Sequence, residues 1–275
     1  MNVITRKNLW LFAFYMFVFG FIIILLGIIS HVVVSSFAKS WFATPLPHKF
    51  TTNWYVYSYK TFQLPHIMYV TLIVAAGVVF FGLLISLPAA YVFARKDFPG
   101  KNYLMILYLL PILIPQMTYG IPLATVFFKY KIGGSILSII LANLVPMIPF
   151  GIFILTPFFE QIDRSIESSA RMLGASRLKI FQKILLPLCI PGILVAGLLI
   201  MVETIANFEL SFLVCGAESQ TLVINLYYAI FASGMRPVYA VDAMAVIYMV
   251  LVMSLLLIIL RFVPPTQMVF RLDKR

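Results

Sequence analysis

IDRSIESSARMLGASRLKIFQKILLP, residues Ile162–Pro187, is the stretch whose reading decides the fold. It carries five of the twenty Lys and Arg residues: Arg164, Arg171, Arg177, Lys179 and Lys183. It interrupts a chain that is otherwise strongly apolar. Its pattern predicts two short helices separated at Gly174. Asp163 or Ser165 can cap the first, because a short side-chain oxygen accepts a hydrogen bond from the free N–H groups of a first turn. Gly174 tolerates the positive φ of a helix stop. Ser176 can cap the second helix, which is expected to end near Pro187.

Around this stretch, 63% of the 275 residues are hydrophobic and only 11% are charged. Soluble domains carry roughly 25% charged residues, so the class is a polytopic membrane protein. The net charge of +11 does not indicate a nucleic-acid binder, because the basic residues fall between apolar runs rather than on one face. Cys189 and Cys215 make no disulfide framework. At opposite ends of one predicted span they would lie roughly 39 Å apart, and both are expected to be packing residues.

About 20 apolar residues cross a hydrocarbon core of ~30 Å. Six runs qualify, at about 9–34, 67–94, 103–128, 135–158, 188–214 and 239–263, with the loop at 159–187. The first is too long for the h-region of a signal peptide and is read as an uncleaved span. Residues 36–65 hold Trp41, Trp54, Tyr55, Tyr57 and Tyr59, amphipathic rings suited to a membrane interface. An external loop with a short interfacial helix is expected there. Pro111, Pro115 and Pro122 should kink or break the third span, and Pro146 and Pro149 fall in the fourth.

Fourteen basic residues fall on the N-terminal side of the membrane: Arg6, Lys7, Arg95, Lys96, Lys101, the five of the loop, Arg261, Arg271, Lys274 and Arg275. Six fall on the other: Lys39, Lys49, Lys60, Lys129, Lys131 and Arg236. The positive-inside rule therefore puts both termini and the 159–187 loop in the cytoplasm.

The loop also carries a resemblance. Ser169-Ala170, Gly174, Ile184 and Leu186-Pro187 resemble the EAA loop of type I ABC importer permeases. That pattern is E-A-A, three residues, G, nine residues, I, one residue, L-P. Ser168 stands at the family's Glu and Ser169 at its first Ala, while a Glu lies one residue earlier, at Glu167. Ser86–Lys101 and Leu109–Pro115 look like the family's second and third core helices, and the branch resembled is the spermidine/putrescine type. The resemblance implies an all-α fold of six transmembrane helices forming one permease domain, 1–275, in a bacterial inner membrane. It also implies that the loop docks on a separate ATPase, with Glu167, Ser168, Ser169, Ala170, Gly174, Ala175, Ile184 and Pro187 as its coupling residues. The implied partners are a second permease, identical or different, an ATPase pair and an external solute-binding protein. ATP and Mg would sit in the ATPase, and no cofactor is expected in this chain. The solute would be small and polyamine-like, with iron or phosphonate as other members of that branch.

No G-x-x-x-x-G-K-[ST] and no H-E-x-x-H occurs. His31, His48 and His66 are scattered and read as interfacial rather than as ligands. Glu203 and Asn207, four apart on the fifth predicted span, share a helix face, with Glu209 pointing elsewhere. A mid-membrane carboxylate costs ~3 kcal/mol on insertion scales, so it should face protein or water. These residues either line a translocation path, for a cationic solute, or bond to a neighbouring helix or to the partner permease. Asp242 is expected to pair with Arg236. An ion-driven secondary transporter would want ionisable residues in several spans, and only Glu203 lies deep. A membrane-embedded enzyme would want a metal or nucleophile constellation.

Overall fold

The computed structural model describes residues 3–42, 44–231 and 237–262, and these are helical almost throughout. Two compact units divide the chain: Met1–Leu64 with Tyr228–Val250, and Pro65–Tyr227 with Leu251–Arg275.

In the first unit, α1 (Val3–Ser36) is a single long helix. None of its most apolar window is buried within the chain. The loop after it closes on itself through one isolated bridge, Ala38 with Phe50. The indole N–H of Trp54 donates to the Ala38 carbonyl at 2.7 Å, and that of Trp41 to the Thr44 carbonyl at 2.7 Å. The expected short helix is α2 (Asn53–Thr61).

In the second unit, α3 (Leu64–Arg95) starts at the unit boundary and carries Pro88 inside it. The third predicted span is two helices, α4 (Lys101–Leu113) and α5 (Gln116–Lys129), bent by 87°. Of its prolines, Pro115 marks the break. It has no N–H to give the Pro111 carbonyl four residues earlier. The Tyr119 hydroxyl donates to that carbonyl instead, at 3.2 Å. α6 (Ile136–Glu160), capped by Ser135, packs against α4, α5 and later helices. Two thirds of its apolar window (67%) is buried, which makes it the centre of this unit.

The fifth predicted span, 188–214, needs correction. The 159–187 loop contains α7 (Arg164–Met172) and then a helix already begun at Arg177. This second helix comprises α8 (Arg177–Ile180), a π-turn at Phe181–Leu185 and α9 (Leu186–Leu188). It bends by 73° into α10 (Ile190–Ala206), so Pro187 lies within the helix near the bend. Helix then stops at Asn207 and restarts as α11 (Glu209–Val214). Among the described residues, four helices are long and apolar enough to cross a membrane, and up to six segments qualify when each bent pair counts as one span.

The loop expected after residue 214 contains a further apolar helix, α12 (Leu222–Phe231), too short to span. α13 (Val238–Phe262) is the sixth predicted span; Val263 and the basic tail with Arg271, Lys274 and Arg275 lie outside the described residues.

Candidate functional site

The Ile162–Pro187 loop is built as its sequence directs. The Asp163 carboxylate accepts from the Ser165 N–H at 2.8 Å and so caps α7. That bond holds Asp163 below the usual carboxylate range. Gly174 has φ +80°. The Ala175 N–H bonds the Ala170 carbonyl at 3.1 Å and the Gly174 N–H bonds that of Arg171 at 2.9 Å. This paired closure is the Schellman stop of a helix. Ser176 then caps the second helix through the Lys179 N–H.

The two faces of α7 differ. Ser168 and Ser169 face outward, as do Met172 and Leu173, which are 82% and 89% exposed. Beside Gly174 they form a bare apolar tip, which the sequence reading passed over. The signal was present in the apolar pair Met172-Leu173 immediately before a helix-stopping glycine. Glu167 and Ala170 are buried on the opposite face. Ala175 and Ile184 are half-buried against the apolar cluster that holds Ala170, and Pro187 is exposed.

Glu167, expected among the coupling residues, is thus turned into the chain rather than outward with Ser168 and Ser169. Its carboxylate lies 2.7 Å from the Arg95 guanidinium and accepts from the Tyr91 hydroxyl at 2.9 Å. Arg171, one turn along, approaches to 3.5 Å. Burial of a carboxylate requires such compensation, and most of it is supplied by Tyr91 and Arg95 at the C-terminal end of α3.

Deeper in the second unit, a cavity of about 590 Å³ opens between the two helix breaks. Ile114, Pro115 and Gln116 line it at the α4–α5 break; Glu203, Asn207 and Glu209 line it at the α10–α11 break. Asn207 is not on the helix face of Glu203 as the four-residue spacing implied. It sits past the end of α10 with extended backbone (ψ 100°), and its Oδ1 accepts from the Leu210 N–H at 3.3 Å. That break turns Glu209 into the same cavity, which corrects the expectation that it points elsewhere. Among the described residues, neither Glu203 nor Glu209 has an ion pair.

The remaining candidates lie elsewhere. His66 Nε2 meets the Glu218 carbonyl at 2.9 Å, and the His31 ring packs on Trp41. Asp242 accepts from the Ser35 hydroxyl, and its expected partner Arg236 lies outside the described residues. Cys189 and Cys215 are free thiols. Among the described residues, no group of three or more His, Cys, Asp or Glu could hold a metal ion.

Residues 82–267, which include both the loop and the cavity, match the family described as binding-protein-dependent transport system inner membrane component. The chain belongs to this family. Its helices are accordingly those of a multi-pass permease, with an all-α type I importer fold. It is 38% identical over 137 residues to the molybdate/tungstate transport system permease protein of Thermococcus kodakarensis, covering 49% of this chain and 55% of that one. It is 35% identical over 105 residues to the osmoprotective compounds uptake permease protein of Synechocystis, covering 38% of this chain and 35% of that one. The chain thus spans about half the length, or less, of these curated relatives. Their names describe transport components rather than enzymes, and solutes other than polyamines.

At the level of fold, the chain resembles a chain of a bacterial ABC transporter involved in the import of alginate. The TM-score is 0.72 at 19% identity, covering 98% of this chain and 99% of that one. A chain of the MetNI methionine ABC transporter matches with TM-score 0.58 at 19% identity, covering 74% of this chain and 95% of that one.

Proposed function

We propose that the chain is a permease subunit of an ABC importer in a bacterial inner membrane, forming half of the pathway for a small solute. The observation that carries this reading is the bare Met172–Leu173 tip beside left-handed Gly174, at the EAA-like position of a family member. An exposed apolar pair on a closed, capped turn is suited to burial in a groove on another subunit. Ser168, Ser169, Gly174 and the tip form the docking surface for a separate ATPase, where ATP and Mg bind and hydrolysis occurs. Ala170, Ala175 and Ile184 anchor the loop beneath it. ATP can shift the permease only insofar as it favours one conformation over another.

The cavity between the helix breaks is the pathway candidate. Irregular backbone at membrane depth is tolerated where it lines a polar cavity, and Glu203, Asn207 and Glu209 meet at such a place. Two carboxylates without an ion pair among the described residues favour a cationic or neutral hydroxylated solute over an oxyanion. A polyamine-like solute rests on these carboxylates alone. A second permease would complete the pathway, and an external binding protein would deliver the solute.

Co-expression with its genomic neighbours, followed by purification in mild detergent and reconstitution, tests this reading. A retained ATPase and second permease, with uptake that needs ATP, is the expected result. A chain that purifies alone and transports on an ion gradient overturns it.

A further inference from the structure

Arg95 is the last residue of α3, yet its side chain is turned inward: the Arg95 and Glu167 side chains are 7% and 4% exposed. One guanidinium holds two points of the loop. Its Nε lies 2.7 Å from the Glu167 carboxylate, an ion pair without hydrogen-bond alignment, and its Nη2 donates to the Ile162 carbonyl at 2.5 Å, just before the α7 cap. Tyr91, one turn earlier on α3, donates to the other Glu167 oxygen. The Tyr91 ring meets Phe159, at the end of α6, and Phe181, in the helix after Gly174, at centroid distances of 5.9 and 5.5 Å. The chain entering α7, α7 itself and the chain leaving it are therefore all fastened to one end of α3.

Covalent connectivity alone would not do this. The loop joins α6 to the α8–α10 helix, and α3 is remote in sequence. A planar guanidinium presents several donors in a fixed fork and can hold a carboxylate and a carbonyl at once, which an ammonium on a flexible stem does poorly. Burying this pair is expensive compared with an apolar pair of similar volume. An apolar pair would fill the space without fixing orientation.

We infer that Arg95 and Glu167 are positioning residues that make α3 and α7 one rigid lever, so that displacement of the loop is delivered directly to the α3 span. This inference rests on the coupling reading above. The lever would move α3 with the loop, while α6 and α10 follow through their own chain connections.

The test uses the reconstituted transporter with its ATPase, second permease and binding protein. Glu167→Gln and Arg95→Gln each leave a buried partner uncompensated and could impair folding. The variant Arg95→Met/Glu167→Met removes both charges and keeps the volume. Arg95→Lys keeps the charge and loses the fork. Three quantities are read: ATPase retained on the complex, ATP hydrolysed, and solute imported per ATP.

The expected result for the double-Met variant is normal ATPase retention and hydrolysis with at least a tenfold fall in solute imported per ATP. Arg95→Lys should fall between it and the unaltered protein. Spin labels at Lys96 and Arg164, both exposed, give a second readout. Their separation should stay fixed through the ATP cycle in the unaltered protein and broaden in the double-Met variant. Normal import per ATP in the double-Met variant overturns the lever. So does loss of assembly in both single and double variants, which would make the pair a folding device only. Failure of the unaltered chain to retain any ATPase is a different result and counts against the coupling reading itself.

Discussion

Glu167 and Glu203 are both acidic residues in an apolar chain, and their surroundings are opposite. Glu167 is 3% exposed and is met by Arg95, Tyr91 and Arg171. Glu203 is exposed into a cavity beside Glu209 and Asn207, with no ion pair among the described residues. A buried, compensated charge fixes geometry, because moving either partner strands the other. A charge facing an open cavity leaves its hydrogen-bonding capacity for something that enters. Acidity alone does not separate the two roles; the presence of partners does.

Breaking the loop should have the largest effect. Gly174→Trp should leave the spans inserted and lower uptake more than tenfold, read in proteoliposomes. The space around Gly174 is open, with nothing within 4 Å of an added Cβ. The local penalty is therefore the left-handed backbone, roughly 1–2 kcal/mol, and the rest is obstruction of docking. Gly174→Ala should accordingly give a milder loss. Leu173→Glu should release the ATPase from the purified complex. Normal uptake in Gly174→Trp would remove the loop from the mechanism.

The cavity should respond differently. Glu203→Gln with Glu209→Gln should leave ATPase retention unchanged and weaken uptake of a cationic solute about tenfold, the equivalent of ~1.4 kcal/mol. Unchanged uptake across a panel of cationic and neutral solutes would make these carboxylates bystanders.

Packing between the regions should give a moderate effect on stability. A Cβ on Gly151 of α6 would stand 2.6 Å from the Ser86 hydroxyl oxygen of α3. Gly151→Val should therefore destabilise the protein by about 1–3 kcal/mol, as overpacked cores do, measured as thermal unfolding in detergent.

The smallest effect is expected at Asp163. Its carboxyl is held low by the Ser165 N–H, so its contribution is present above the ordinary aspartate range and lost as pH falls through the lowered value. Asn caps a helix as well as Asp. Asp163→Asn should leave uptake unchanged and remove the acid-side loss of protection in the first turn of α7, read by hydrogen exchange.

Much of this was legible in the sequence. The runs of about 20 apolar residues marked the membrane segments, and Asp163, Gly174 and Ser176 marked the loop helices because capping is local chemistry. The prolines of the third span announced that it would be kinked or broken; the break falls at Pro115, and Pro111 and Pro122 lie inside the two helices it separates. The Asn207 break was hidden, because no Pro or Gly marks it within residues 193–215 other than Gly197, well before it. The available signal was an Asn three residues before Leu210, the spacing of a helix cap. The inward turn of Glu167 was not legible, since its partner Arg95 is remote in sequence and looked like an ordinary basic loop residue. The exposed and the buried face of α7 differ by one position, Ser168 against Glu167, and only the packing decides which is which.

The most direct test of the account is a cross-link from the loop tip. In a chain freed of Cys189 and Cys215, a single cysteine at Leu173→Cys is treated with a short bifunctional reagent in the assembled complex. The account predicts an adduct between this chain and the ATPase subunit, with a yield that changes between nucleotide-free and ATP-trapped states. An ATPase present in the complex but never joined to this position, while a cysteine elsewhere on the chain captures it, would contradict the account.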